Sequence, residues 1–471
     1  MPTQTRDTSL TTDQKALAIN LDKYKYGSIV EIGAGQEVAR RFFHVGAAAG
    51  TIAKTMSAYD MAVSDDIYGP VDRYVSRARL MQMLDKEFEQ VVNRLSQVRP
   101  KNTTFFAYAA TVTARSFKQT NECHGWIGVR LQLHPGATPS DIVLHVRMLD
   151  NDNAQQSDAL GILGVNLIYG AFFHHTQPEW VVEGLGDGLG PDRIEVDLIH
   201  FSGPYFEEVE NRLMNLHLIR SWLTRAVVFN PQGEVVVPGE LFYRKPVMVM
   251  RGSFKPVTRV NADMMTSGQH QFAQLAAVDE DKMVALAEIT MNSLISGDNV
   301  DNADFLARVD LLASMGYTVM ISDYVRFFRL RAYLRRYTQK PIGIVLSVRD
   351  FAALFDEKYY EGLEGGMLEA FGKLFPDNTH VYVYPARPRG SQALVTLDSV
   401  SVPAHQKHLL AYLVENGKLV AIDRFDEDCL HIDATEVLAA LRRGHGEWEK
   451  DVPELAARRI VDKRLLGFDS E

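Results

Sequence analysis

The run Val247-Met-Val-Met-Arg-Gly-Ser-Phe-Lys-Pro-Val-Thr-Arg-Val-Asn-Ala-Asp-Met-Met265 changes character twice. It opens as a strand, with Val247, Val249 and Arg251 alternating against Met248 and Met250. It breaks at Gly252, turns through Pro256 and enters a helix near Asn261. A strand, a Gly-Pro turn and a helix start make a phosphate-binding corner, because unpaired N–H groups and the helix dipole converge at a helix N-terminus.

Downstream of this corner the pattern becomes regular. Tyr317–Ile321, Ile342–Val348 and Val381–Tyr384 read as strands that are apolar throughout. Helices are expected at Asp281–Ile295, Asp304–Met315, Tyr324–Tyr337, from Phe351, and at Leu363–Phe375. Strands apolar on both faces and separated by helices mark a parallel sheet covered on both sides, with right-handed crossovers. Val395–Val402 and Leu419–Asp423 are expected as edge strands, and His405–Glu415, Ala434–Arg443 and Val452–Leu465 as helices.

Upstream the pattern is mixed. Helices are expected at Thr12–Leu21, Glu37–Met56, Ser76–Val98, Asn153–Phe173 and Glu207–Leu223. Three strands, Thr103–Thr113, Trp126–Leu133 and Asp141–Leu149, are joined closely enough to pair antiparallel, the first link passing through a polar turn at Lys118–Glu122. Ser28–Ile32 and Arg193–Phe201 are further strands, and a hairpin folds around Asn230-Pro-Gln-Gly233. The expected class is therefore α/β, with a mixed α+β domain over residues 1–238 and a Rossmann-like parallel-sheet domain over residues 239–471.

Composition narrows the function classes. A chain of 471 residues exceeds one ordinary core. A net charge of −10 disfavours nucleic-acid and membrane-surface partners. Two cysteines, Cys123 and Cys429, cannot build a disulfide framework or a four-thiolate metal site. The N-terminus lacks an apolar signal core, and the apolar run from Ala159 to Phe173 is shorter than the ~20 residues that span a bilayer. A cytoplasmic protein is expected.

The order Gly252-Ser-Phe-Lys-Pro-Val-Thr-Arg-Val-Asn261 resembles the signature G-x-F-x-P-x-[H/T]-x-G-H of adenylyltransferases of the nicotinate-nucleotide type. Gly252, Phe254, Pro256 and Thr258 match, while Val260 and Asn261 stand where that family has Gly and His. The resemblance implies a nucleotide ligand, with ATP as cofactor and Mg²⁺ held mainly by its phosphates. It assigns Thr258, Asn261 and Lys255 to catalysis and Gly252, Ser253, Phe254 and Arg259 to cofactor binding. Ile321-Ser-Asp-Tyr-Val-Arg326 resembles the I-S-x-x-x-x-R motif of the same superfamily and adds Ser322 and Arg326. The alternative for Arg326, Arg329, Arg331, Arg335 and Arg336 is a solvated helix face. No metal site made of protein ligands is expected.

Other stretches, Glu31–Arg40, Thr51–Asp60 and Asp158–Asn166, are similar to a bacterial family whose members are labelled nicotinate-nucleotide adenylyltransferase or TonB-dependent receptor. The second label conflicts with the parallel-sheet pattern. Within the first of these stretches, Glu31-Ile-Gly-Ala-Gly35 resembles the first motif of S-adenosylmethionine methyltransferases; the alternative is a tight strand-to-helix turn. Cys123-His124 and His174-His175 with Glu179 read as structural. Two functions stay open: nucleotide binding with adenylyl transfer from ATP, and a catalytically inert protein that self-assembles as a homo-oligomer.

Overall fold

Two sheets organise the chain, one in each of two units, Met1–Arg225 and Ala226–Glu471. The structure is a computed structural model that describes residues 10–113, 115, 122–296, 299–376, 378–388, 393–444 and 447–468. Most of the turn expected at 118–122 lies outside the described residues.

The first sheet contains β1 (Lys25–Gly33), β2 (Ile52–Met56), β3 (Thr104–Val112), β4 (His124–Leu131), β5 (Ser140–Met148) and β6 (Ile194–Ser202), in the order β2-β1-β3-β4-β5-β6. β1 runs parallel to both its neighbours, and β3 to β6 alternate antiparallel. The expected antiparallel trio is β3, β4 and β5. One face packs against helices Thr12–Asn20, Glu37–His44, Asn153–Phe173 and Asn211–Arg220. The other face carries helix Arg77–Leu95, whose Leu80 and Leu84 reach within 3.2 Å of where a Cβ on Gly128 of β4 would sit. Helix Asn153–Phe173 spans its expected range, and its glycines allow close approach: a Cβ on Gly164 would lie 2.3 Å from Val38 and 2.8 Å from the Tyr108 hydroxyl.

The helix expected over Glu37–Met56 is shorter. It ends at His44, where Gly46 (φ 81°) and Ala47 (φ 59°) both take left-handed conformations that a helix cannot continue through. Residues Ile52–Met56 then form β2, paired parallel with β1.

The second sheet begins with β7 (Ala226–Phe229), β8 (Val235–Val236), β9 (Val247–Arg251) and β10 (Val284–Thr290). A small separate hairpin, β11 (Ile295–Ser296) and β12 (Asn299–Val300), follows. β13 (Thr318–Ser322), β14 (Ile342–Ser347), β15 (Thr379–Tyr384) and β16 (Leu419–Ala421) complete the sheet, in the order β16-β15-β14-β9-β10-β13-β7-β8. The six strands from β16 to β13 are parallel, and β7 and β8 add an antiparallel edge. Taken in chain order, the parallel strands lie 3-2-1-4-5-6, the doubly wound arrangement of Rossmann folds. Val247 to Met250 are fully buried because helices cover both faces of β9, which is why this strand lacks a polar side.

Three expectations change here. Met283 to Thr290 reads as helix by propensity, yet Val284–Thr290 is strand β10, held between β9 and β13; burial on both faces overrides the local preference of Ala, Leu and Glu. The stretch Val395–Val402 is not an edge strand: it makes one isolated bridge, Ala386 to Val395, and a single turn at Leu397–Ser399. The hairpin at residues 226–237 pairs with β13, so it belongs to the second sheet rather than to a domain ending at residue 238.

Candidate functional site

The chain leaves β9 for β10 on one side and returns to β14 on the other, so the sheet's switch point lies between β9 and β14. In open α/β sheets the crevice beyond the carboxyl ends of the strands at this point is the usual ligand site. A cavity of about 570 Å³ occupies it, lined by Arg251, Gly252 and Ser253 at the end of β9, Thr290, Asn292 and Ser293 at the end of β10, Val325–Phe327 after β13, Ser347, Arg349 and Asp350 at the end of β14, and Pro385–Ala386 after β15. Met264, Leu354, Tyr359, Tyr360 and Ile432 supply apolar and aromatic wall, and Asp433 lies at the rim of the same cavity. Pockets of ≈ 300–1,000 Å³ with convergent polar groups hold small ligands.

The floor is a buried charge network. Glu288 of β10 is fully buried and takes a forked pair of bonds from Arg251, Nε to Oε2 at 2.6 Å and Nη2 to Oε1 at 2.9 Å. The Ser322 hydroxyl donates to the same carboxylate at 2.5 Å. Arg251 also donates to the carbonyls of Tyr324 (2.6 Å) and Val325 (2.7 Å), and its guanidinium lies 4.4 Å from the Phe327 ring centre. Register produces this arrangement, since Arg251 pairs with Glu288 across β9 and β10, and Ser322 with Thr290 across β13 and β10.

The structure separates the residues that the sequence grouped. Gly252, Ser253, Thr258, Asn261 and Arg326 line the cavity. Thr258 and Asn261 satisfy each other: the Asn261 carbonyl oxygen accepts from the Thr258 N–H at 3.0 Å and from its hydroxyl at 2.9 Å, closing the first turn of helix Arg259–Phe272. The single hydroxyl proton of Thr258 is therefore committed, and Asn261 presents its amide rather than a cation. Phe254 is buried and packs its ring over Gly252, where a Cβ would come within 2.9 Å of it, so Gly252 makes room for a side chain of its own loop. Lys255 pairs with Asp304 at 2.9 Å, and Asp304 is bonded in turn to Arg308. Arg259 pairs with Asp426 at 2.9 Å and lines a different surface hollow with Pro453 and Arg458. Ser322 lies beneath the floor, fully buried.

Arg326 is the exception. Its guanidinium lines the cavity and has no hydrogen-bonded or ion-paired partner among the described residues. The rest of its helix, Phe327–Arg335, is not a uniformly solvated face: Arg331 bonds Thr379, and Arg335 bonds the carbonyls of Thr338 and Lys340 and the side chain of Asn378. Burial lowers the Arg335 guanidinium to about 10, with Arg331 adding repulsion.

Sequence reading missed Arg251 as a clamp, Glu288, and the corner Ser347–Asp350 after β14. The signal for the last was available, because residues just past an apolar parallel strand are where ligands sit. Burial raises the Asp350 carboxyl, and that carboxyl has no hydrogen-bonded partner among the described residues.

In the first unit, the Glu31–Gly35 motif is a packed turn. Gly33 (φ 86°) lies against β3, where a Cβ would fall 1.8 Å from the Val112 carbonyl oxygen. The Glu31 carboxylate accepts from the N–H groups of Val38 and Ala39, both at 3.2 Å, and so fills the helix N-terminus that a cofactor would need. His175 bonds the Phe172 carbonyl at 3.1 Å, and no group of three or more His, Cys, Asp or Glu among the described residues is placed to hold a metal. A relay unread in the sequence links His124 to His145 (3.1 Å) and His145 to the buried Asp197 (2.5 Å). Among the described residues no helix is long and apolar enough to cross a membrane.

No protein-family model matches the chain, and no curated protein matches it. Solved structures do. A nicotinic acid mononucleotide adenylyltransferase of Plasmodium falciparum is similar to 48% of this chain over 100% of its own length, at 12% identity and a TM-score of 0.30. A protein of Vibrio parahaemolyticus described as a nicotinate-nucleotide adenylyltransferase is similar to 48% of this chain over 97% of its own, at 15% identity and a TM-score of 0.25. A competence/damage-inducible protein of Agrobacterium tumefaciens is similar to 33% of this chain over 93% of its own, at 17% identity and a TM-score of 0.25.

Proposed function

We propose that the second unit binds a nucleotide in the cleft beyond β9 and β14, and that it lacks the charge needed for efficient adenylyl transfer. The carrying observation is the cleft itself: a switch-point cavity with aromatic wall from Phe327, Tyr359 and Tyr360 and an uncommitted guanidinium at Arg326. A base and a phosphate group need those two kinds of surface. Phosphoryl chemistry depends on cations placed at the developing charge. At the glycine corner Lys255 and Arg259 are paired elsewhere and Asn261 is neutral, which weighs against transfer. A Mg²⁺ ion carried by the phosphates would find Asp350 on the wall as its oxygen ligand. Isothermal titration with ATP, NAD and nicotinate mononucleotide is expected to give heat with at least one of them, and a pyrophosphate-release assay is expected to stay at background. No heat with any of the three removes the reading.

A second reading, an inert protein that self-associates, is favoured by apolar side chains left in solvent in the first unit: Leu21, Tyr59, Met61 and Val98 are 62% to 74% exposed. Exposed apolar side chains of this size mark an association site where they join into one patch. Light scattering from micromolar concentrations upward should then give a mass that grows with concentration. A constant monomer mass of 52.9 kDa, together with nucleotide binding, would discard this second reading.

A further inference from the structure

Building on the nucleotide reading, we infer that the anionic group of the ligand docks at Arg326, past the end of β13, and not at the glycine corner past β9, with Arg251 as the residue that positions it. Two sets of contacts lead there. At the corner, the cationic donors and both donors of Thr258 are already bonded within the protein: the Thr258 N–H and hydroxyl go to Asn261, Lys255 goes to Asp304, and Arg259 goes to Asp426 outside the cavity, which leaves the corner neutral donors and no available cation. Past β13, Arg326 faces the same cavity with its donors uncommitted among the described residues.

Arg326 sits on a segment that Arg251 holds from both sides. The Arg251 fork is fixed by Glu288, which is itself fixed by Ser322. The remaining N–H groups bond the carbonyls of Tyr324 and Val325, immediately before Arg326, and the flat guanidinium face meets the Phe327 ring, immediately after it. One planar group thus fixes residues 324, 325 and 327. Lysine cannot reproduce this: an ammonium has three donors on a point charge and no flat face to stack. A donor held in place before the ligand arrives loses less entropy on binding, so the clamp raises the affinity of the arginine it presents.

The test uses the full chain, with ATP and inorganic tripolyphosphate as probes. Arg326→Ala should weaken both by about tenfold or more, the scale of a lost charge-assisted bond. It should also flatten the salt dependence of binding. Arg259→Ala should leave both within about twofold. Arg251→Lys, which keeps the charge, should weaken both severalfold while keeping the wild-type salt dependence, and in the ligand-free protein it should speed amide hydrogen exchange at residues 325–330. Arg326→Ala should not change that exchange. Wild-type affinity in Arg326→Ala, or a loss in Arg259→Ala matching it, overturns the anion site. Unchanged exchange at 325–330 in Arg251→Lys overturns the positioning role whether or not any ligand binds. Tripolyphosphate binding that depends on Arg326, in a protein that ignores ATP, would sink the nucleotide reading and uphold this one. A wild type that binds neither probe overturns the anion site as well.

Discussion

Asn261 stands where chemistry at the glycine corner would need a histidine, and its carbonyl oxygen serves as a cap for Thr258. Glu31 is the parallel case in the first unit, an acid that fills its own helix N-terminus. Burial pushes the Glu31 carboxyl up to about 7 from 4.5, against the pull of the Ala39 and Val38 N–H groups. Its sign in stability follows from linkage. Between about pH 4.5 and 7 the unfolded chain has released this proton and the folded chain keeps it, so Glu31's contribution is present below 4.5 and is lost as pH rises towards 7. Glu31→Gln removes the titration. The stability of the variant relative to wild type should climb across that window by roughly 3 kcal/mol. Urea melts at half-unit pH steps would measure it, and a difference independent of pH would show that Glu31 is ionised throughout. His124 works in the opposite direction: burial and the neighbouring His145 lower it to about 4, so its contribution is present above 6.5 and is lost as pH falls towards 4. The two trends run against each other, and since burial also lowers His175, His200 and His217, Glu31→Gln should leave a stability that rises with pH across the window.

At the scale of elements, legibility followed the range of the forces involved. Helix Asn153–Phe173 was readable to the residue because its cap, Asp152, bonds the N–H groups of Ala154 and Gln155 from the adjacent sequence. The strand-turn-helix order of the corner was readable because glycine and proline specify backbone shape locally, although the helix starts at Arg259, before the expected Asn261. The chemistry attached to that corner was not readable. The partner that removes Lys255 is Asp304 and the one that removes Arg259 is Asp426, 167 positions along the chain, and only the fold brings them together. β10 was hidden for a related reason: Ala285-Leu-Ala-Glu288 has helical propensity, and its strand state comes from lying between β9 and β13. Arg331 and Arg335 looked like a solvated stripe because the sequence does not show that Thr379 and Asn378, at the start of β15, lie beside their helix. At the corner and in the arginine helix the local sequence specified the backbone and the fold selected which side chains remained available; at β10 the sheet set the backbone too.

For the whole molecule, the consequence is where a separable domain begins. The parallel sheet ends on β13, whose Val319, Met320 and Ile321 are fully buried. That burial depends on β7, since Ala226, Val227, Val228 and Phe229 pair with Ser322 back to Val319 and are fully buried themselves. Phe229 also meets Phe305 of the helix that covers this end, with ring centres 5.9 Å apart. Burying a Val or Phe side chain contributes about 1.5–3 kcal/mol. Losing the strand would therefore cost on the order of 5 kcal/mol or more, comparable with the whole stability of an ordinary domain. It would also uncover an apolar strand edge, a template for pairing between chains. A fragment of residues 226–471 is accordingly expected to be soluble and to unfold in one cooperative transition, whereas residues 239–471, cut where the sequence alone would place the boundary, are expected to aggregate. Size-exclusion chromatography and thermal melts of the two fragments decide it. A soluble, monomeric 239–471 fragment with the melting temperature of the longer one would mean that β7 and β8 only decorate the sheet, and that β13 can serve as its edge.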